Sequence, residues 1–209
     1  MSATRFFLIR HAVVTPAARA VLYGSMDVAL CEIALREEAA SYRWLARRLP
    51  AGAAWATSPL SRARATAEAI FAAGYGRAPL VEEAALVEQN LGEWQGITHE
   101  ELLARLTRPA HPFWPHGADE RPPGGESLAD VMARVGPLLE RYARRHRGGD
   151  VVMVTHGGTI RAALAHAGGL TPQQVLHFSI RNLGLTRLEK VGQDWRVAAV
   201  NEEPWTPPA

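Results

Sequence analysis

Apolar residues occur in this chain in two kinds of run. Phe6-Phe7-Leu8-Ile9 within residues 5–10, and Val151-Val152-Met153-Val154 within residues 150–155, are short unbroken stretches of the kind that form strands covered on both faces. Elsewhere the apolar positions recur at helical spacing. Residues 32–49 read as one helix stopped by Pro50. Ser58-Pro59 has the chemistry of a helix start, and that helix runs to Ala73 before Gly74. Residues 99–106, 126–145 and 159–167 read as three more helices. Residues 53–57 form a short second strand, 80–88 an extended segment, and 175–181, 185–191 and 195–200 three β-like runs. Strands alternating with helices predict an α/β fold, three-layer α/β/α with a mostly parallel central sheet.

The chain has 209 residues, 47% of them hydrophobic, which suits one domain over 1–203 with 204–209 as a C-terminal tail. No repeat or low-complexity linker suggests a second domain. No apolar run approaches a membrane span or a signal core, so a cytoplasmic protein with no membrane partner is expected. Cys31 is the single cysteine, which excludes an internal disulfide and a thiolate metal cage and leaves it a small helix-entry residue.

The net charge is +2 and Lys190 is the single lysine. Arg43, Arg47 and Arg48, like Arg141, Arg144, Arg145 and Arg147, fall at helical spacing among apolar residues and read as solvated faces, so no nucleic-acid partner is expected. Residues 108–125 hold five prolines and read as a loop over the site. His111 and His116 in that loop lack the carboxylate or cysteine company of a metal centre, and no metal or cofactor is expected.

Both strands described first run into a histidine, through Arg10-His11 and through Thr155-His156-Gly157-Gly158. As neighbours in a parallel sheet they would present two imidazoles at the carboxyl edge, where open α/β folds place ligands. The guanidinium beside one histidine and the approachable backbone N–H groups after the other both suit phosphate oxygens, so a phosphoryl group is the predicted occupant.

Arg10-His11, Ser58-Pro59-Leu60-Ser61-Arg62-Ala63 with Thr66-Ala67, Leu86-Val87-Glu88 before Gly92-Glu93-Trp94-Gln95-Gly96, and Thr155-His156-Gly157-Gly158 stand in a fixed order. Together they resemble the histidine phosphatase superfamily, the phosphoglycerate mutase-like proteins, across residues 5–165. The resemblance implies a phosphohistidine intermediate on His11, with Arg10, Arg62 and His156 neutralising the phosphoryl oxygens and Glu88 protonating the leaving alkoxide. It makes Arg64 and Glu93 the weaker rivals of Arg62 and Glu88, and Arg161 a supporting residue. Thr15, Tyr23, Gly24 and Gly157 are expected to border the substrate.

Two departures stand out. Ala12 replaces the usual glycine after the nucleophile, and Val14 replaces a hydroxyl residue that Thr15, one position on, would have to supply. Tyr23-Gly24-Ser25-Met26-Asp27 resembles the family's glycine-aspartate stretch, but Ala29-Leu30-Cys31 replaces proline-leucine-threonine. The little room between Gly96 and Pro122 for mutase-type insertions, together with Pro123-Gly124-Gly125-Glu126-Ser127, implies the small bacterial phosphatase branch. Its members include α-ribazole phosphatases and broad-specificity enzymes that act on a small-molecule phosphate ester. A mutase-type phosphoryl transferase, a phosphohistidine-protein phosphatase and a non-catalytic phosphate-binding protein are the alternatives. The C-terminal strands would allow pairing into a homodimer, though Trp195 and Trp205 are equally explained as packing residues.

Overall fold

The computed structural model describes residues 2–204; the tail expected from 204 and Trp205 lie, apart from Pro204, outside the described residues. In chain order the elements are β1 (Thr4–Arg10), α1 (Pro16–Arg19), α2 (Glu32–Glu37), α3 (Ala39–Arg48), β2 (Ala54–Thr57), α4 (Ser61–Ile70) and β3 (Leu80–Glu82). They continue with α5 (His99–Leu103), α6 (Leu128–Arg145), β4 (Asp150–Thr155), α7 (Gly157–Gly168), α8 (Pro172–Val175), β5 (Leu185–Val191) and β6 (Asp194–Glu202). The six strands form one sheet in the order β3-β2-β4-β1-β5-β6. β1 to β4 are mutually parallel, β5 runs against β1, and β6 against β5.

The period-two geometry of a strand sorts the two central runs between two cores. Phe6, Leu8, Val151 and Met153 face a cluster built with α6 and α7. Phe7, Ile9, Val152 and Val154 face the opposite cluster, built with α3 and α4. Burial on both faces is why these runs are apolar without alternation. After β1 the chain passes to the α3/α4 face, whereas after β4 it passes to the α7 face. The neighbouring ends of β1 and β4 are therefore a switch point, the place where such sheets open a crevice.

Several elements differ from the sequence pattern. The helix read over 32–49 is broken at Glu38: α2 buries no residue, so nothing holds it collinear with α3, which turns Tyr42, Leu45 and Ala46 into the core. The fourth helix begins at Ser61 and not after Ser58. Past Ile70 it widens over Phe71–Tyr75, where Gly74 takes φ +118°. Within 80–88 only three residues pair as β3, and Ala84–Leu86 forms a 3-10 turn. Residues 175–181 are not a strand. Thr171 and Gln174 make a reciprocal capping box that starts α8, and the chain then runs in turns to β5. Trp195 lies against Phe6 at 5.3 Å between ring centroids and donates to Glu140 (2.7 Å), a packing role.

Leu138 on α6 is fully buried between helix and sheet. Leu138→Ala is expected to lower unfolding free energy by about 2–5 kcal/mol in urea titrations. Glu32→Ala, which removes an exposed partner of Arg36, should change it by less than about 0.5 kcal/mol.

Candidate active site

Arg10 lies opposite Thr155 in the β1–β4 ladder, so His11 and His156 emerge side by side one residue later, with ring centroids 5.1 Å apart. The Nδ1–H of His11 donates to the Ala12 carbonyl at 2.7 Å, which leaves Nε2 as the unprotonated nitrogen. The backbone that carries this ring is pinned from two sides. Asn182 Nδ2 donates to the carbonyls of His11 (2.7 Å) and Ala12 (3.2 Å), and Thr66 Oγ1 accepts from the Ala12 N–H (3.0 Å). Burial, reinforced by the charges of Arg10 and Arg62, holds the His11 pKa well below the usual histidine value. His156 is lowered for the same reason, burial first and then His11, Arg62 and Arg10. Its Nδ1 accepts from Arg62 Nε (3.3 Å), so its proton sits on Nε2, which donates to Ser58 Oγ (2.8 Å).

Arg62 is held by the segment singled out at 23–27. Its Nη1 donates to the Met26 carbonyl (2.5 Å) and its Nη2 to the Gly24 carbonyl (2.7 Å), and its Cζ lies 5.2 Å from the centre of the Tyr23 ring. The same segment caps α4: Asp27 Oδ1 accepts from the Ser61 N–H (2.8 Å) and hydroxyl (2.6 Å). The helix cap is thus a residue 34 positions upstream, and Ser58 is left to serve His156. Gly24 has φ +38°, and a Cβ there would stand 2.8 Å from the Gln89 carbonyl oxygen, so the turn that offers its carbonyl to Arg62 needs glycine.

Glu88 reaches the site from the turn after β3. Its Oε1 accepts from the Gln89 N–H (2.9 Å) and its Oε2 from the Gly158 N–H (3.0 Å), in the first turn of α7. That segment is stapled along its length. Thr155 Oγ1 donates to Leu86 O (2.7 Å), Thr159 Oγ1 to Val87 O (2.9 Å), and Arg134, paired with Glu126, to the carbonyls of Ala85 (2.8 Å) and Glu88 (3.2 Å). Arg10 Nη1 donates to Ile180 O (2.6 Å), while its Nε is buried without a partner among the described residues.

A cavity of about 370 Å³ opens over this cluster, bordered by Arg10, Tyr23, Gly24, Glu88, Gly157 and Trp114. His11, Arg62 and His156, each at most 1% exposed, lie beneath that lining. Thr15 is placed elsewhere. Its hydroxyl caps α1 by accepting from the Ala18 N–H (3.4 Å), and Val14 bridges to Leu30, so neither restores the missing hydroxyl at the cavity. Cys31 stands at the N-cap of α2. Arg64 is paired on the surface with Glu82 at 3.1 Å, and Glu93 is exposed. Residues 108–125 do cover the site, through Trp114, Pro115 and His116. His116 Nδ1 donates to Gly117 O (2.9 Å), and His111 packs edge-on against His177. Among the described residues no group of three His, Cys, Asp or Glu side chains could hold a metal ion, and no helix is long and apolar enough to cross a membrane.

The histidine phosphatase superfamily (branch 1) matches residues 6–203. This chain belongs to that superfamily. Within it, the chain is 33% identical over 195 residues to a 2,3-bisphosphoglycerate-dependent phosphoglycerate mutase of Methylobacterium radiotolerans, 92% of each chain being covered. The mycobacterial glucosyl-3-phosphoglycerate phosphatase superposes with a TM-score of 0.81 at 28% identity, over 95% of this chain and 99% of that one. A phosphoserine phosphatase of Entamoeba histolytica, 20% identical with a TM-score of 0.77, shares the fold. Phosphatases and mutases thus both surround this superfamily member. The Methylobacterium mutase matches it in length, so the expected shortage of inserted segments does not separate hydrolase from mutase.

The burial of the two imidazoles sets a pH dependence. The folded pKa values of His11 and His156 lie below the unfolded value of about 6.5, so the unfolded chain binds more protons as pH falls through that value. Stability is therefore fully present above pH 6.5 and declines below it, by up to about 1.4 kcal/mol per pH unit for each ring. Urea midpoints between pH 7.5 and 5.5 should show this slope, and His11→Asn should flatten it. Separately, a Cβ at Gly158 would stand 2.5 Å from Glu88 Oε1. Gly158→Ala should displace that carboxylate and slow turnover of phosphate esters without unfolding the protein, as read by circular dichroism beside a phosphate-release assay.

Proposed function

We propose that this protein is a phosphomonoesterase that hydrolyses a small-molecule phosphate ester through a phosphohistidine on His11. The observation that carries this reading is the tautomer of His11: a neutral ring whose Nδ1–H is committed to a carbonyl and whose Nε2 lone pair stands among Arg10, Arg62 and His156. In the first step Nε2 attacks phosphorus, the bond to the ester oxygen breaks, and Glu88 gives its proton to the departing alkoxide. In the second, water attacks the phosphorus and yields its proton to Glu88. The N–P bond breaks, and its electron pair returns to Nε2 as phosphate leaves. The Nδ1–H bond to Ala12 stabilises the charge that the ring acquires between the steps.

Magnitudes rank the parts. Monoester hydrolysis demands accelerations approaching ~10²¹-fold, of which a general acid supplies about 10²- to 10⁴-fold. Neutralising and aligning the phosphoryl group must supply most of the remainder, and a well-placed arginine is worth about 10³- to 10⁵-fold in phosphoryl transfer. The guanidinium groups rigidly held on backbone carbonyls suit that task.

Phosphoglycerate mutase activity is the second reading, favoured by the full-length Methylobacterium relative. The outer cavity supports hydrolysis instead. Leu22, Leu91, Trp114 and Pro115 make its walls apolar, and beyond Arg10 its guanidinium is the exposed Arg19, which is poor provision for a bisphosphorylated occupant.

Rapid acid-quench with a ³²P-labelled ester should trap an acid-labile, base-stable label that His11→Ala abolishes; a protein that binds phosphate without acquiring it would be the non-catalytic alternative. Phosphoglycerate incubated with and without bisphosphoglycerate should release inorganic phosphate and not exchange isomers. A faster release from a phosphohistidine peptide than from any small ester would point to a protein substrate. Glu88→Gln should slow hydrolysis of an alkyl phosphate by about 10²- to 10⁴-fold and spare a nitrophenyl phosphate, whose leaving group needs no proton.

A further inference from the structure

The chain between α8 and β5 supports the site from behind. Phe178 O accepts from Arg161 Nε (3.1 Å), whose Cζ lies 4.1 Å from the centre of the Trp114 ring, and Ile180 O accepts from Arg10 Nη1 (2.6 Å). Two residues further on the side chain takes over. Asn182 Nδ2 donates to the carbonyls of His11 (2.7 Å) and Ala12 (3.2 Å). The strap is itself tied down: the Leu183 N–H donates to Arg10 O (3.0 Å), and Asn201 Oδ1 on β6 accepts from the Arg181 N–H (2.6 Å). Phe178, Ile180 and Asn182, at every second position, thus hold Arg161, Arg10 and the backbone of the nucleophile.

Turn formation does not account for this asparagine. Residues 181–184 form a tight turn closed by the Gly184 N–H on Arg181 O (3.1 Å), a backbone bond that needs no side chain. Its third residue, the buried Leu183, takes φ +59°, a conformation that suits glycine or asparagine and strains leucine. Turn chemistry alone would therefore place the asparagine at 183. At 182 its amide instead reaches 170 residues back along the chain, and strain held beside a reacting group is a mark of positioning.

The Ala12 carbonyl decides which ring nitrogen of His11 is free, because Nδ1–H donates to it at 2.7 Å. If that carbonyl turned away, the ring could rotate or carry its proton on Nε2, and in either state Nε2 could not attack. Thr66 holds the first of the two peptide units beside the ring, through the Ala12 N–H (3.0 Å). Asn182 bridges both units, through His11 O and Ala12 O. We propose that Asn182 is a positioning residue for the nucleophile: it keeps Ala12 O in place as the acceptor for Nδ1–H and thereby holds the Nε2 lone pair toward phosphorus. The proposal rests on the phosphohistidine reading of the same site. Asn182 is not among the residues that border the cavity, so its effect falls on the rate of attack and not on phosphate affinity or on the choice of leaving group.

The test compares the parent protein with Asn182→Leu, which keeps the size and loses the donor, and Asn182→Gln, which keeps a carboxamide on a longer stem. Rapid-quench labelling of His11 should be slower in Asn182→Leu by about 10- to 100-fold, the scale of a displacement of ~1 Å at a reacting group. The factor should be the same for an alkyl phosphate and for nitrophenyl phosphate, and inhibition by inorganic phosphate should keep its strength. Asn182→Gln should recover part of the rate. Nitrogen NMR of histidine-labelled protein, with the His11 signals identified by their loss in His11→Ala, reads the tautomer itself: two well-separated ring nitrogens in the parent, drawn together in Asn182→Leu as the tautomers mix. Parent-like labelling in Asn182→Leu, an unchanged His11 spectrum beside slow labelling, or a rate loss matched by weaker phosphate inhibition would overturn the assignment. A parent that takes no label would sink the phosphohistidine reading, and the His11 spectra would still decide whether Asn182 sets the ring.

Discussion

The parallel pairing of β1 with β4 is the constraint on which the site depends. Setting Arg10 opposite Thr155 brings His11 and His156 to adjacent positions with their rings 5.1 Å apart. A slip of one residue would turn Phe6 and Leu8 toward the core now filled by Phe7 and Ile9, and carry His11 to the other face of the sheet. Because both faces are buried and packed with different residues, such a slip would disrupt two cores at once. The register that stabilises the fold is therefore the register that assembles the imidazoles, and the site's geometry is tied to the stability of the central strands.

Around that pair the chain holds guanidinium groups that form no ion pair among the described residues. An ion-pair partner would neutralise Arg62 and leave little of its charge for an incoming anion. Carbonyls of Gly24 and Met26 satisfy its N–H groups and fix its direction without cancelling its charge, and Ile180 and Phe178 do the same for Arg10 and Arg161. The same uncancelled charge, added to burial, keeps the neighbouring imidazoles neutral. One arrangement thus supplies both an electropositive receptor and a nucleophile with a free lone pair.

What could be read from the sequence was what local pattern determines. Unbroken apolar runs ending in histidine placed both imidazoles, and proline density marked the covering loop. Features that depend on remote contacts were not legible. Asp27 caps a helix 34 residues away, so the adjacent Ser58 looked like the cap. Thr15 looked like a ligand because of its offset from His11, yet a proline at the next position makes it a helix cap. Asn182 was hidden by the β-like composition of 175–181, although Thr171-Pro172-Gln173-Gln174 carries a readable capping signature. Arg161 read as a supporting residue, but its partners were not legible, since they are a tryptophan 47 positions upstream and the Phe178 carbonyl.

Two successive glycines, Gly157 and Gly158, show why this site is built so largely from backbone. At Gly158 a methyl group would collide with Glu88, and the missing side chain lets the Gly158 N–H meet that carboxylate directly. At Gly157, which borders the cavity, a Cβ would stand 3.3 Å from Arg161 Nη1 and 3.7 Å from Arg10 Nε, so the missing side chain gives both guanidinium groups room. The end of β4 thereby makes one short turn serve three purposes. It delivers His156, positions the acid and leaves room for two guanidinium groups, the last two because atoms are absent at a defined point.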